Sequence, residues 1–245
     1  MRVLIVGATS GIAKECARIW AKQPDAEFVL VGRNEAALEA VAADLRVRST
    51  TAKTSVFALD ITDAVAVAAL EPKLVALGNY DVVLIAQGEL TDQTEAQASV
   101  AVIDRSLTLN VTSVGIFAEL GARLLERSGR GNLAIFGSVA GDRGRRANYS
   151  YGAAKAFIDS YVQGMRHRFA GTGISVTVIK PGPTATAMTT ALATSGKLAP
   201  ADAVAKEIVA GIAKGKPVIY APGLWRIIML VVRMIPSPIF NKLNF

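Results

Sequence analysis

The segment MRVLIVGATSGIAKECARIWAK, residues 1–22, holds in order a short apolar run, a turn punctuated by glycines and a segment with helical period. The apolar run VLIV reads as a strand, because it is far shorter than the core of about 7–15 apolar residues that an export signal needs. Gly7 and Gly11 allow a tight turn and a close approach of backbone, and the free amides at the start of the following helix attract an anion. A glycine pattern alone is weak evidence. Here it falls between a predicted strand and a predicted helix, where a phosphate-binding turn works.

The same alternation runs outward along the chain. EFVLVG (27–32), TSVFALD (54–60), YDVVLIAQG (80–88), GNLAIFGS (131–138) and ISVTVIKPG (174–182) read as strands. Between them lie NEAALEAVAADL, DAVAVAALEPKLVAL, LTLNVTSVGIFAELGARLLE and SYGAAKAFIDSYVQGMRHRF, which read as helices. Short apolar strands separated by helices predict a doubly wound α/β domain, a parallel sheet with helices on both faces. No linker, internal repeat or low-complexity stretch divides the sequence, so residues 1–245 are expected to form a single domain, with an apolar, basic tail at 222–245.

Composition narrows the function. An apolar share of 51% against 19% charged excludes a disordered chain. The formal charge of +7 favours anionic partners. Nucleic acid is not expected, because aromatic residues are only 6% of the chain and nowhere interleave with basic ones. The single cysteine, Cys16, leaves no internal disulfide, suits a reducing cytoplasm and reads as a core residue of the first helix. His167 is the lone histidine, so neither a Ser-His-Asp triad nor a histidine-based metal site is expected; it reads as a surface or capping residue.

Tyr151 and Lys155 stand four residues apart, neighbours on one helical face, so that a phenol and an ammonium can converge. Tyr149, a rival tyrosine, has no lysine at that spacing and is expected to line a pocket. After the second strand comes Arg33, where a site reading a ribose hydroxyl would present an acidic residue. An arginine there pairs with a 2′-phosphate, which favours NADP(H) over NAD(H); the alternative is a solvated arginine opening a helix.

Taken together, Gly7 to Ile12 in the spacing GxxxGI, Asp60-Ile61, Ala86-Gln87-Gly88, Asn110, Ser138, Tyr151-x-x-x-Lys155 and Pro181-Gly182 resemble the short-chain dehydrogenase/reductase family over nearly the whole chain. Ala13 stands in place of a third glycine, and Ala86-Gln87-Gly88 in place of Asn-Ala-Gly. The resemblance implies a Rossmann-type fold and assigns roles. Tyr151 would be the general acid, its pKa lowered by the Lys155 charge. Lys155 would also hold the nicotinamide ribose, Ser138 would bond the reacting carbonyl, and Asn110 would support a water path returning the proton. The cofactor would be held by Gly7, Thr9, Ser10, Gly11, Ile12, Arg33, Asp60, Ile61, Ala86, Gln87, Gly88, Tyr151, Lys155, Pro181, Gly182 and Thr184. A homo-oligomer is also implied, and no metal is expected.

Two features are unusual. Arg143, Arg145 and Arg146 lie between Ser138 and Tyr151 and are expected near the substrate mouth, where guanidinium forks suit phosphate oxygens. The alternative is a solvated loop or a subunit contact. The tail is nearly all apolar from Leu224 to Ile235, interrupted by Arg226 and Arg233, and Pro236 and Pro238 stop a helix. Twelve helical residues extend about 18 Å against a hydrocarbon core of about 30 Å, so this helix alone does not span a bilayer. It reads as a buried or subunit-facing element, a lid over a greasy substrate, or an interfacial anchor. GDRGRRANYSYGAAKA with APGLWRIIMLVVRMIPSPIFNKL is similar to the decaprenylphosphoryl-2-keto-pentose reductases. That resemblance implies reduction of the 2-keto group of a polyprenylphosphoryl pentose to the arabinose form, with a partner oxidase, in the cytoplasm and peripheral to the inner membrane face. A reductase of another hydrophobic carbonyl, such as a 3-oxoacyl thioester, or a non-catalytic dinucleotide-binding sensor subunit are the other readings.

Overall fold

In the computed structural model of the chain, residues 1–192 and 198–243 are described, so the last two residues of the tail at 222–245 lie outside them. Seven strands form one sheet: β1 Arg2–Val6, β2 Glu27–Gly32, β3 Lys53–Ala58, β4 Val82–Ile85, β5 Arg130–Phe136, β6 Gly173–Pro181 and β7 Val218–Ala221. Their order is β3-β2-β1-β4-β5-β6-β7 and every pairing is parallel. The doubly wound α/β architecture is therefore present, with one strand more than the sequence displays. VIYA in β7 is short, follows a lysine-rich turn and becomes a strand because β6 offers it a ladder from Val178 to Pro181.

Side chains alternate across the sheet, and both faces are covered. On β1, Val3 and Ile5 join a core with α1 (Gly11–Trp20), α2 (Glu35–Arg48) and α8 (Ala201–Ala213). Leu4 and Val6 join the opposite core with α3 (Ala64–Ala76), α6 (Ser113–Ser128) and α7 (Tyr149–Arg168). A strand buried on both sides must be apolar at successive residues, which is why VLIV, VVLI and LAIF show runs rather than alternation. Cys16 lies in the first of these cores, and burial raises its thiol pKa. His167 is exposed in the last turn of α7.

Helix starts are set by side chains. The carboxamide oxygen of Asn34 accepts the amide N–H of Ala37 at 2.9 Å at the start of α2. Asp63 accepts the amides of Val65 and Ala66 at the start of α3. Helices α4 (Gln93–Ala98) and α5 (Val100–Leu107) follow β4. From α5 the chain passes through a single π-helical turn, Thr108–Thr112, directly into α6. The combined run 100–128 is long and apolar enough to cross a bilayer by length and composition. It instead packs Val114, Phe117, Leu120 and Leu124 into the core beside the sheet.

The chain order reverses between β1 and β4, and at such a switch point two loops diverge and leave a crevice at the strands' C-terminal ends. Phe117, 1% exposed, is among the largest side chains of the core on this side. Phe117→Ala is expected to lower the unfolding free energy by about 3–5 kcal/mol, read as a shift of the urea midpoint.

Candidate active site

Gly7 follows β1 with φ +75, and a Cβ built on it would stand 2.5 Å from the Gln87 backbone nitrogen, so only glycine lets the loops after β1 and β4 meet. Helix α1 starts immediately afterwards, and the side chain of its N-cap, Ser10, makes no capping bond, which leaves the first-turn amides open to a ligand. The crevice above is a cleft of about 550 Å³. It brings together Gly7, Thr9, Ser10, Gly11, Ile12, Arg33, Ile61, Ala86, Gln87, Gly88, Ser138, Tyr151, Lys155, Pro181, Gly182 and Thr184. These residues come from the ends of β1, β2, β4, β5 and β6 and the segments that follow them, from the segment after β3 and from α7.

Two predicted residues stand outside the cleft wall. Asp60 is exposed beyond β3 and accepts the amide and hydroxyl of Thr62 at 2.9 and 2.7 Å. Those bonds, with the Arg33 charge as a smaller influence, hold its carboxyl below the usual range. Asn110 is completely buried in the π-helical turn. It accepts the Glu89 amide N–H at 3.1 Å and donates to the Glu89 carbonyl at 3.2 Å, fixing the loop after β4. A π-turn shifts one helical residue out of register, which here turns Asn110 toward Gly88. A Cβ on Gly88 would lie 2.9 Å from Asn110 Oδ1 and 3.3 Å from Lys155 Nζ, so both side chains converge on that glycine.

The catalytic candidates form one cluster. Ser138 caps the 3₁₀ turn Val139–Asp142, its Oγ accepting the Ala140 amide at 3.1 Å, and it shares the cleft wall with Tyr151. Lys155 Nζ donates to the Phe136 carbonyl at 3.1 Å and lies 5.5 Å from the Tyr151 ring centroid. Behind this cluster Lys180 pairs with Asp142 and with Asp159, the latter at 2.7 Å, and the Tyr220 hydroxyl donates to Asp142 at 2.7 Å. That buried network ties the turn after Ser138 to α7, β6 and β7.

The electrostatic balance corrects one expectation. Burial pushes the Tyr151 hydroxyl up to about 12, and the influence of the Ser138 hydroxyl opposes this. Burial also pulls the Lys155 ammonium down to about 8, against the attraction of Asp159. The protein environment thus withholds solvation from both groups, and this outweighs any lowering of the phenol by the lysine. The phenol keeps its proton, as a proton donor requires.

The arginine loop separates into different jobs. Arg145 lines the cleft, and its Nε is buried without a partner, as is Oδ1 of neighbouring Asn148. Burial lowers the Arg145 pKa, with Asp142 opposing. Arg143 is not at the mouth. Its guanidinium donates to the Val232 and Ile235 carbonyls, each at 2.6 Å, and so caps α9, Trp225–Met234, a helix of the tail. Arg146 is exposed, and Tyr149 faces solvent, 47% exposed, rather than lining the pocket. Trp225 lines the cleft although no periodicity marks it. A Cβ on Gly182 would stand 2.0 Å from its indole nitrogen, so glycine at 182 is what admits the tail. Leu90 and Asn148 also join the wall. Their chemistry gives no warning of this, since loop direction decides it.

The Lys155 balance has a measurable consequence. A lysine whose folded pKa is about 8, against an ordinary value of about 10.4, binds fewer protons folded than unfolded within that window, so its contribution to stability rises with pH there. Lys155→Met is therefore expected to melt higher than the parent protein at pH 7, with the advantage shrinking as pH rises through that window; parallel melting curves across it would contradict the assignment.

Similar proteins identify the family. The sequence model described as short chain dehydrogenase matches residues 1–196. An uncharacterized oxidoreductase of Streptomyces coelicolor is 32% identical over 249 residues, covering 98% of this chain and 95% of its own length. Sulfoacetaldehyde reductase 2 of Chromohalobacter salexigens is 31% identical over 212 residues, covering 84% and 81%. Among solved structures, a short-chain dehydrogenase from Sphingobium yanoikuyae in complex with NADPH superposes with a TM-score of 0.83 at 25% identity, covering 99% of this chain and 96% of that one. A glycine turn at the sheet's reversal, a serine-tyrosine-lysine cluster in the cleft beside it, and relatives that share both chain length and sheet place the protein in the short-chain dehydrogenase family, as an NAD(P)-dependent oxidoreductase.

Proposed function

We propose that the protein reduces a ketone carrying a negatively charged group, with NADP(H) as cofactor, and that the substrate is the 2-keto group of a polyprenylphosphoryl pentose. The observation that carries this reading is Arg145, whose guanidinium shares the cleft with Ser138 and Tyr151 and has a buried Nε without a partner. An unpaired donor in a half-buried guanidinium is costly unless a ligand completes it, and phosphate oxygens match its fork. The Asn148 carboxamide beside it has unfilled bonding capacity too.

The residues at the glycine turn fit a dinucleotide. The open first turn of α1 suits a pyrophosphate, and Gly7 and Gly88 keep side chains out of the approach. Arg33 stands exposed just before the cap of α2, lines the cleft and has no ion pair among the described residues. That arrangement leaves its guanidinium to a 2′-phosphate. The relative bound to NADPH lends support.

The bound cofactor supplies a hydride to the carbonyl carbon. The chain's own residues do the rest. Ser138 bonds the carbonyl oxygen, Tyr151 gives that oxygen its proton, and the product is a secondary alcohol. Lys155 places a positive charge beside the phenolate left behind, and Asn110 holds the loop that carries Gly88. Arg145 fixes the anionic group, so that the ketone reaches Tyr151 in a reactive orientation.

The curated relative named for sulfoacetaldehyde favours a second reading, a short anionic carbonyl compound. The apolar tail beside the cleft supports the lipid-linked substrate over that one.

NADPH oxidation by the purified protein, with a polyprenylphosphoryl-2-keto-pentose, sulfoacetaldehyde and a neutral ketone in parallel, tests the proposal. Tyr151→Phe is expected to lower kcat by about 10²–10⁴-fold. Arg145→Gln is expected to raise KM for the anionic substrate by about 10- to 100-fold while leaving turnover of the neutral ketone little changed. Equal KM effects on charged and neutral substrates would remove Arg145 from anion recognition. Binding assays should give tighter NADPH than NADH, a gap that Arg33→Ala narrows.

A further inference from the structure

The tail helix α9 is held to the body on one side only. Met229 is 1% exposed, Trp225 turns into the cleft wall, and Arg143 caps the C-terminal carbonyls while its guanidinium stacks 3.7 Å from the Phe240 ring centroid. The opposite side carries Ile227, Leu230, Val231 and Met234, all at least 50% exposed, at the i, i+3, i+4, i+7 spacing of one helical stripe. Leu224 before the helix and Ile239 after it extend the apolar surface. Among the described residues no other helix exposes so many large apolar side chains together, and patches of this kind mark interaction sites.

Charge identifies the occupant. Arg226 and Arg233, seven residues apart, border the stripe on one side; both are exposed, and neither side chain has a hydrogen bond or ion pair among the described residues. From residue 208 to the C-terminus the sequence has five Lys or Arg and no Asp or Glu. A second copy laid two-fold on this face would bring cations against cations with no carboxylate of the tail to answer them. A bilayer with anionic headgroups answers both features, apolar side chains entering the acyl boundary and arginines remaining at headgroup level.

We propose that the exposed face of α9 docks on the surface of an anionic lipid bilayer, and that this docking holds the cleft mouth at the membrane through Trp225. A substrate with an isoprenoid chain would then reach Tyr151 without leaving the bilayer. The docking itself does not depend on the identity of the substrate.

The test is co-sedimentation of the full-length protein with phosphatidylcholine vesicles, with and without phosphatidylglycerol. Sedimentation is expected only with the anionic vesicles. It should fall at least about tenfold in Ile227→Ser/Met234→Ser and by about fivefold for each of Arg226→Gln and Arg233→Gln. Val47→Ser/Val65→Ser, which removes exposed apolar residues far from the tail, should leave it unchanged. Since the substituted residues are exposed, melting temperature and NADPH binding should be those of the parent protein, which separates lost docking from misfolding and from failure of the substrate reading. Failure to sediment, equal sedimentation with neutral vesicles, or an oligomer in sedimentation equilibrium that Ile227→Ser/Met234→Ser dissolves would each overturn the proposal, the last by giving the face to a second copy.

Discussion

Parallel strands cannot be joined by a tight turn, so each strand of this sheet must be followed by a crossover that returns to the starting edge. Every strand therefore ends on the same edge, and the residues that follow β1, β2, β4, β5 and β6 are gathered there whatever their distance along the chain. The cleft depends on that constraint. Gly7, Gly88, Ser138 and Gly182 span most of the sequence and share one wall, because a reversal of strand order between β1 and β4 opens the space between them. Burial of both sheet faces then makes the platform rigid, and the site inherits that rigidity.

Two groups of the candidate cluster are deprived of water by the fold. Tyr151 is driven toward its protonated form and Lys155 toward its neutral one, each chiefly by burial. Neither shift favours stability, since an ammonium bonded to one backbone carbonyl at 3.1 Å is poorly compensated for the water it has lost. Beside them lies a paired network, Lys180 with Asp142 and Asp159, and Tyr220 with Asp142. Asp159 also acts on Lys155 as a counter-charge one helical turn away. The network joins the Ser138 turn to α7 and the far strands, so the positions of Ser138 and Tyr151 are set by the same buried charges.

The tail shows a different economy. Its inner side is fastened by backbone carbonyls given to Arg143 and by an indole laid over Gly182, while its outer side stays apolar and uncovered. Arginine suits this fastening, because its planar fork can meet several carbonyls at once while its face stacks on Phe240. The loop between Ser138 and Tyr151 thereby serves two neighbours, with Arg143 turned to the tail and Arg145 turned to the cleft.

Much of this was legible in the residues. Apolar runs of four to nine residues divided by helical segments dictate a parallel sheet covered on both faces, because only a strand buried on both sides needs such runs. Gly7 and Gly11 between a strand and a helix dictate an open turn, and the spacing of Tyr151 and Lys155 puts them on one side of one helix. The direction of the Tyr151 shift was not legible, since spacing reports a neighbouring charge but not how much water the fold removes. Nor was β7 legible: VIYA becomes a strand through its ladder with β6. Three clustered arginines look alike in sequence. Only the tertiary structure decides that Arg145 enters the cleft and that Arg143 caps a helix about ninety residues away, because a loop side chain takes its direction from whatever unsatisfied groups the fold brings within its reach.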